Sequence, residues 1–167
     1  MTEQLDVRIV RLEPLHVASA HGFGEGPEGM AWQDILAWAG DQGLLDHLDA
    51  HRFFGFNNPD PTPGSPNYGY EQWITVGPEV EGAPGITIKD FPGGLYAVTR
   101  CQGIPRITDV WRQLIAWRES SPYAPANHQW LEECLTPDLD VLGRGAPLNE
   151  IERLARIEMD LYLPIAG

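Results

Sequence analysis

The chain has 167 residues, 43% of them hydrophobic, which suits one domain with a substantial core and leaves little room for two. Eleven Lys and Arg stand against 24 Asp and Glu, a net charge of −13 with no basic cluster, and this excludes direct nucleic-acid binding and docking on an anionic membrane. With no signal peptide, no apolar run of about 18 residues, and two cysteines (Cys101, Cys134) outside any CxxC pair, the expectation is a reduced, cytoplasmic, single domain over 1–167.

Along the chain, HVASAH (16–21) reads as a short strand, a glycine turn follows, and Trp and Leu/Ile at i, i+3, i+4 spacing then predict an amphipathic helix ending near Trp38. Strands are predicted over HRFFGF (51–56) and YGYEQWITV (68–76), joined by the proline-rich surface loop NNPDPTPGSPN (57–67). GITIKDF (85–91) is a further strand leading into a Pro-Gly-Gly turn. Then the pattern starts again: GLYAVTRC (94–101), a glycine turn, a helix to about Trp117, HQWLEECL (128–135) and RIEMDLYLPI (156–165).

The recurrence is a repeat. Residues 17–38 lie over 96–117 without a gap at an offset of 79, bringing Ala18, Gly24, Trp32, Ala37 and Trp38 onto Ala97, Gly103, Trp111, Ala116 and Trp117. Tyr70-Glu71-Gln72-Trp73-Ile74 lies over Met159-Asp160-Leu161-Tyr162-Leu163 at an offset of 89, and the ten added residues fall in an insertion loop, PDLDVLGRGAPLNE (137–150). The expected fold is α+β: duplicated βαββ units with pseudo-two-fold symmetry, a largely antiparallel sheet, two main helices and a central groove lined by aromatics.

Several motifs lead nowhere. Gly24-Glu25-Gly26-Pro27-Glu28-Gly29 matches GxGxxG, but its two glutamates repel a pyrophosphate and no parallel βαβ unit surrounds it; the glycines are better read as the turn into the first helix. His47 and His51 lie four apart, yet no third ligand accompanies them, so no metal site is expected. No nucleophile elbow is present, and no motif requires a cofactor.

What remains is an acid-and-aromatic set: Trp73, Trp111, Trp130 and Tyr162 with Glu132, and Tyr70 with Glu71 close by. Ring faces bind flat apolar groups and attract cations, and a carboxylate adds charge complementarity. In QWLEECLTPD (129–138) side chains alternate, so Trp130, Glu132 and Cys134 share one face and Leu131, Glu133 and Leu135 the other. Whichever face is covered takes a carboxylate with it, and a buried carboxylate needs a partner, a cationic ligand or proton-transfer work. Alternation leaves open whether Tyr70, Gln72 and Ile74 or Glu71, Trp73 and Thr75 meet the groove.

FPGGLYAVTRCQG, YGYEQWITV, LEECL and the terminal DLYLPI together resemble the GyrI-like small-molecule-binding domain, the effector-binding domain attached to AraC- and MerR-type regulators and also found alone. The resemblance runs from about residue 6 to 165 and implies the duplicated βαββ fold with a central ligand groove. It implies that Glu132 projects into the pocket and Glu133 faces outward, with Cys134 where the family often has an aromatic. No helix-turn-helix segment stands ahead of residue 6, so a stand-alone binder is expected. Its ligand would be a hydrophobic, aromatic or cationic compound, held by Glu132, Trp111, Tyr162, Trp73, Tyr70 and Trp130. The alternative is enzymatic. Some stand-alone members hydrolyse cyclopropane-bearing DNA-alkylating natural products, and Glu132 would then be the general base. Gyrase inhibition through protein contact has no signature here.

Overall fold

The computed structural model describes residues 5–137 and 150–167. The chain divides into two compact units: a continuous one, Pro14–Phe91, and a split one made of the residues up to Glu13 together with Pro92–Gly167. Both are α+β and antiparallel, and they repeat one topology.

In the continuous unit, β2 (Leu15–Gly24) leads to α1 (Pro27–Asp41), a 3₁₀ segment (Leu44–Ala50), β3 (Phe53–Asn57) and β4 (Tyr68–Thr75). Strands β2, β3 and β4, with β5 (Ile86–Phe91), line up as β3-β4-β2-β5. In the split unit, β6 (Gly94–Gln102) leads through a 3₁₀ turn (Ile104–Arg106) to α2 (Ile107–Glu119), the short β7 (Ala124–Pro125), β8 (Leu131–Cys134), α3 (Glu150–Arg156) and β9 (Glu158–Ala166). There the order is β1 (Val7–Leu12)-β6-β9-β8, with β7 also on β9. The predicted insertion 137–150 lies almost entirely outside the described residues, and α3 follows it where only a strand is predicted.

The two units exchange their leading strands. By sequence β1 precedes β2 and β5 precedes β6, with only Glu13-Pro14 and Pro92-Gly93 between them. Yet β1 pairs with β6, and β5 pairs with β2. The two leading strands are themselves 79 residues apart, so the repeat begins earlier than at Val17.

Each helix packs one side of its sheet. Under α2 lie Ala97, Cys101, Met159, Leu161 and Leu163, closed by Val110 and Leu114. Ile35 of α1 occupies the place of Leu114, and both are fully buried. Leu114→Ala should therefore lower the unfolding free energy by about 2–5 kcal/mol in a urea titration, because its surroundings are too well packed to close the cavity. The glycine run makes the turn into α1 as expected: Gly24 and Gly26 both have positive φ, and Pro27 opens the helix. His47 lies in the 3₁₀ segment at a non-helical φ/ψ, so it shares no α-helical face with His51, whose Nδ1 pairs with the Thr75 carbonyl at 2.7 Å. Cys101 and Cys134 are buried and not joined in a disulfide, one on either side of Met159 in the ladder. No helix among the described residues is long and apolar enough to cross a membrane.

Candidate functional site

The alternation of β8 is settled by what its partner strand packs against. Glu132 pairs with Leu161 and Cys134 with Met159, both in the core beneath α2, so these two residues face the helix. Leu131 and Glu133 pair with Tyr162 and Asp160 and face the opposite way. On the helix side, the indole N–H of Trp111, from the first turns of α2, donates to Glu132 Oε2 at 3.1 Å. The ring of Trp130 lies 5.3 Å from that of Trp111 at an interplanar angle of 38°. Trp130 remains 39% exposed, and the guanidinium of Arg118, the last residue but one of α2, stands 5.9 Å from its ring centroid. The cluster is thus a carboxylate, two indoles and a cation on a surface that solvent reaches.

Glu133 does not face outward into water. It is 7% exposed and accepts a hydrogen bond from the Tyr162 hydroxyl at 2.6 Å. Tyr162 meets Tyr96 edge-on at 5.4 Å, and Tyr96 donates to the Gln129 carbonyl. Burial pushes the Tyr96 phenol well above its ordinary pKa, so it stays a donor. Both adjacent carboxylates are therefore engaged, one on each face.

The continuous unit carries the counterpart. At the register position of Trp130 it has Phe53, which stacks on Trp32 of α1 at 5.6 Å and 22°. At the position of Glu132 it has Gly55, opposite Gln72 as Glu132 is opposite Leu161. The phenol of Tyr70 lies over that glycine, where a Cβ would meet its ring. On the other face, Glu71 is 3% exposed and accepts from Ser19 Oγ at 2.7 Å, Asn58 Nδ2 at 3.0 Å, the Trp73 indole at 3.2 Å, and Lys89. Burial raises the pKa of Glu71, but the hydrogen bonds, that from Lys89 first, outweigh it and bring the net value down to about 2.

The six expected ligand residues therefore separate by face. Trp111, Trp130 and Glu132 converge on the helix side of the split unit, and Tyr70 lies on the helix side of the continuous one. Trp73 and Tyr162, equivalent in register, lie on the opposite faces, and each donates to a buried carboxylate. Trp32 and Phe53 were not among the candidates, although the repeat already pairs Trp32 with Trp111 and so marks it.

The model of the integron-associated effector-binding proteins, Cass2, matches residues 8–165. No curated protein sequence matches the chain significantly. Among solved structures the chain is similar to the EcmrR C-terminal domain, with a TM-score of 0.69 at 12% identity over 99% of each chain. It is also similar to SAV2435 bound to tetraphenylphosphonium (TM-score 0.52, 10% identity, 98% of this chain and 95% of that one). A hydrolase from Listeria innocua has a TM-score of 0.63 at 9% identity, covering 99% of this chain and 94% of that one. These identities speak for the fold alone, whereas the family model spans nearly the whole chain and agrees with the duplicated antiparallel topology. The chain belongs to the integron-associated effector-binding protein family, and so to the GyrI-like small-molecule-binding domains.

Proposed function

We propose that the chain binds hydrophobic aromatic cations at Trp111, Trp130 and Glu132, acting in sensing or sequestration of such compounds. The observation that carries this reading is the Trp111 indole on Glu132, with the half-exposed Trp130 ring beside it. A fixed negative charge next to two π faces favours an aromatic cation twice over, through the carboxylate and through the ring quadrupoles. Arg118 over Trp130 is an internal example of the preference. The net charge of −13 draws cations to the surface, and a fold relative is seen holding tetraphenylphosphonium.

Tetraphenylphosphonium and rhodamine 6G are the probes, read by quenching of tryptophan fluorescence and by calorimetry. Glu132→Gln should weaken tetraphenylphosphonium by about tenfold, a loss of the size expected for a partly desolvated cation contact, and leave neutral triphenylphosphine oxide unchanged. Equal affinity of the parent and Glu132→Gln for the cation would sink the assignment.

Hydrolysis is the second reading, favoured by the same half-buried carboxylate beside a ring platform. Glu132 would take a proton from water as its oxygen bonds to the cyclopropane carbon. The strained C–C bond breaks, its electron pair passes to the substrate's conjugated carbonyl, and that oxygen is protonated. Appearance of a ring-opened, hydrated product with the parent, and its loss in Glu132→Gln with ligand affinity retained, would establish the enzyme.

A further inference from the structure

We propose, resting on the cation-binding reading of the same cluster, that Arg118 makes it a site for zwitterionic aromatic compounds. The cationic ring system would lie on the indoles and an anionic group on the guanidinium. Arg118 is half-buried near the end of α2. One of its terminal nitrogens donates to the Pro164 carbonyl at 3.0 Å, and the guanidinium carbon stands 5.9 Å from the Trp130 ring centroid. Both partners are neutral, and among the described residues no acid pairs with Arg118. Its Nε is buried without an acceptor, while the second terminal nitrogen is not buried and has no hydrogen-bond partner among the described residues.

The two charges stand at opposite ends of the ring platform. Glu132 is fixed at the Trp111 end by the indole N–H. Arg118 follows Trp111 by two helical turns, about 10 Å along the axis. The Trp130 ring lies between, 5.3 Å from Trp111 and 5.9 Å from the guanidinium. A carboxylate and a guanidinium so spaced do not satisfy each other, and both border one aromatic surface.

The duplicate unit shows that folding alone does not ask for this arginine. At the offset of 79 its place is taken by Ala39, which is fully buried, just as the place of Glu132 is taken by Gly55. The Trp32–Phe53 stack therefore carries neither charge, and the Trp111–Trp130 pair carries both. The carbonyl equivalent to that of Pro164 is Thr75, which accepts from His51 Nδ1 at 2.7 Å, so the strand end is satisfied there without an arginine. A buried N–H without an acceptor costs stability, a cost that the alanine avoids. An acid and a base present together on only one of two matching clusters fit a ligand that carries both signs.

Rhodamine 110 and its methyl ester, rhodamine 123, test this by fluorescence anisotropy at low ionic strength and neutral pH. The ester is a cation, and the free acid adds a carboxylate to the same cationic ring system. Rhodamine 110 should bind about tenfold more tightly, the gain expected from one hydrogen bond between charged groups. The net charge of −13 by itself favours the ester, so bulk attraction cannot produce that preference. Arg118→Gln and Arg118→Met should each abolish the preference and tighten rhodamine 123, because a like charge is removed; melting curves report that each variant folds. Glu132→Gln should weaken both dyes. Rhodamine 123 bound in a Glu132-dependent manner, with rhodamine 110 bound no better, would overturn this inference and leave the cation-binding reading standing. Binding of neither dye would remove both, and a preference that survives in either folded Arg118 variant would also overturn the assignment.

Discussion

Replacing Lys89 with methionine should lower the unfolding free energy at neutral pH by about 3 kcal/mol, the low end of the range for stranding a buried charge. Lys89 is the chain's only lysine, and it reaches Glu71 across β2 from the exchanged strand β5. The low end applies because the Lys89 side chain is still 42% exposed. The pH dependence has a definite sign. The Glu71 pKa falls from 4.5 to about 2 on folding, so its stabilisation is complete above about pH 4.5 and is lost as the pH drops through 2. At about 1.4 kcal/mol per pKa unit the four hydrogen bonds on Glu71, net of its burial, together amount to about 3 kcal/mol. Without Lys89 the carboxylate protonates more readily, so the deficit of Lys89→Met should shrink between pH 7 and pH 3. Urea titrations at the two values check this. A deficit below about 1 kcal/mol at pH 7, or one that does not shrink on acidification, would show that Ser19, Asn58 and Trp73 suffice to hold the charge.

The duplication was legible because aromatic residues at fixed spacing survive in both copies: Trp32 and Trp111 start the same helical stripe, and Glu71 and Asp160 sit at one register position. The strand exchange was not, because pairing of β1 with β6 joins residues some ninety positions apart and leaves no local trace. Arg8 and Arg11 further disguise β1, an edge strand in which Arg8, Ile9 and Arg11 are exposed and no two-residue alternation survives. Helix α3 is not signalled because its seven residues, EIERLAR, are short and precede a strand with no intervening turn signal. The acid-and-aromatic set was found as a list, but its division between faces was not. Alternation says that Glu132 and Glu133 diverge; only the identity of the β9 partners says which way each goes.

Gly55→Ala should cost about 2–3 kcal/mol and do so by overpacking rather than by loss of any contact. A Cβ at Gly55 would lie 2.6 Å from Tyr70 Cε1 and 2.5 Å from Cζ, and nearer still to the hydroxyl. Tyr70 is 4% exposed, so its ring has little room to swing aside. Trimming the ring should relieve the clash: in a Tyr70→Leu background the added penalty of Gly55→Ala should fall below about 1 kcal/mol, a coupling that a double-mutant cycle measures directly. Additive penalties would show that the glycine is needed for its backbone instead. The result bears on the ligand site because Gly55 holds the place that Glu132 holds in the other copy. A glycine there lets a tyrosine ring fill the helix side of the continuous unit, and no carboxylate can stand beside the Trp32–Phe53 stack. In the split unit the equivalent of Tyr70 is Met159, whose flexible, ring-free side chain leaves space for the Glu132 carboxylate to meet Trp111. One exchange of a large residue for a small one across neighbouring strands has thus left charge on only one of two otherwise matching aromatic clusters.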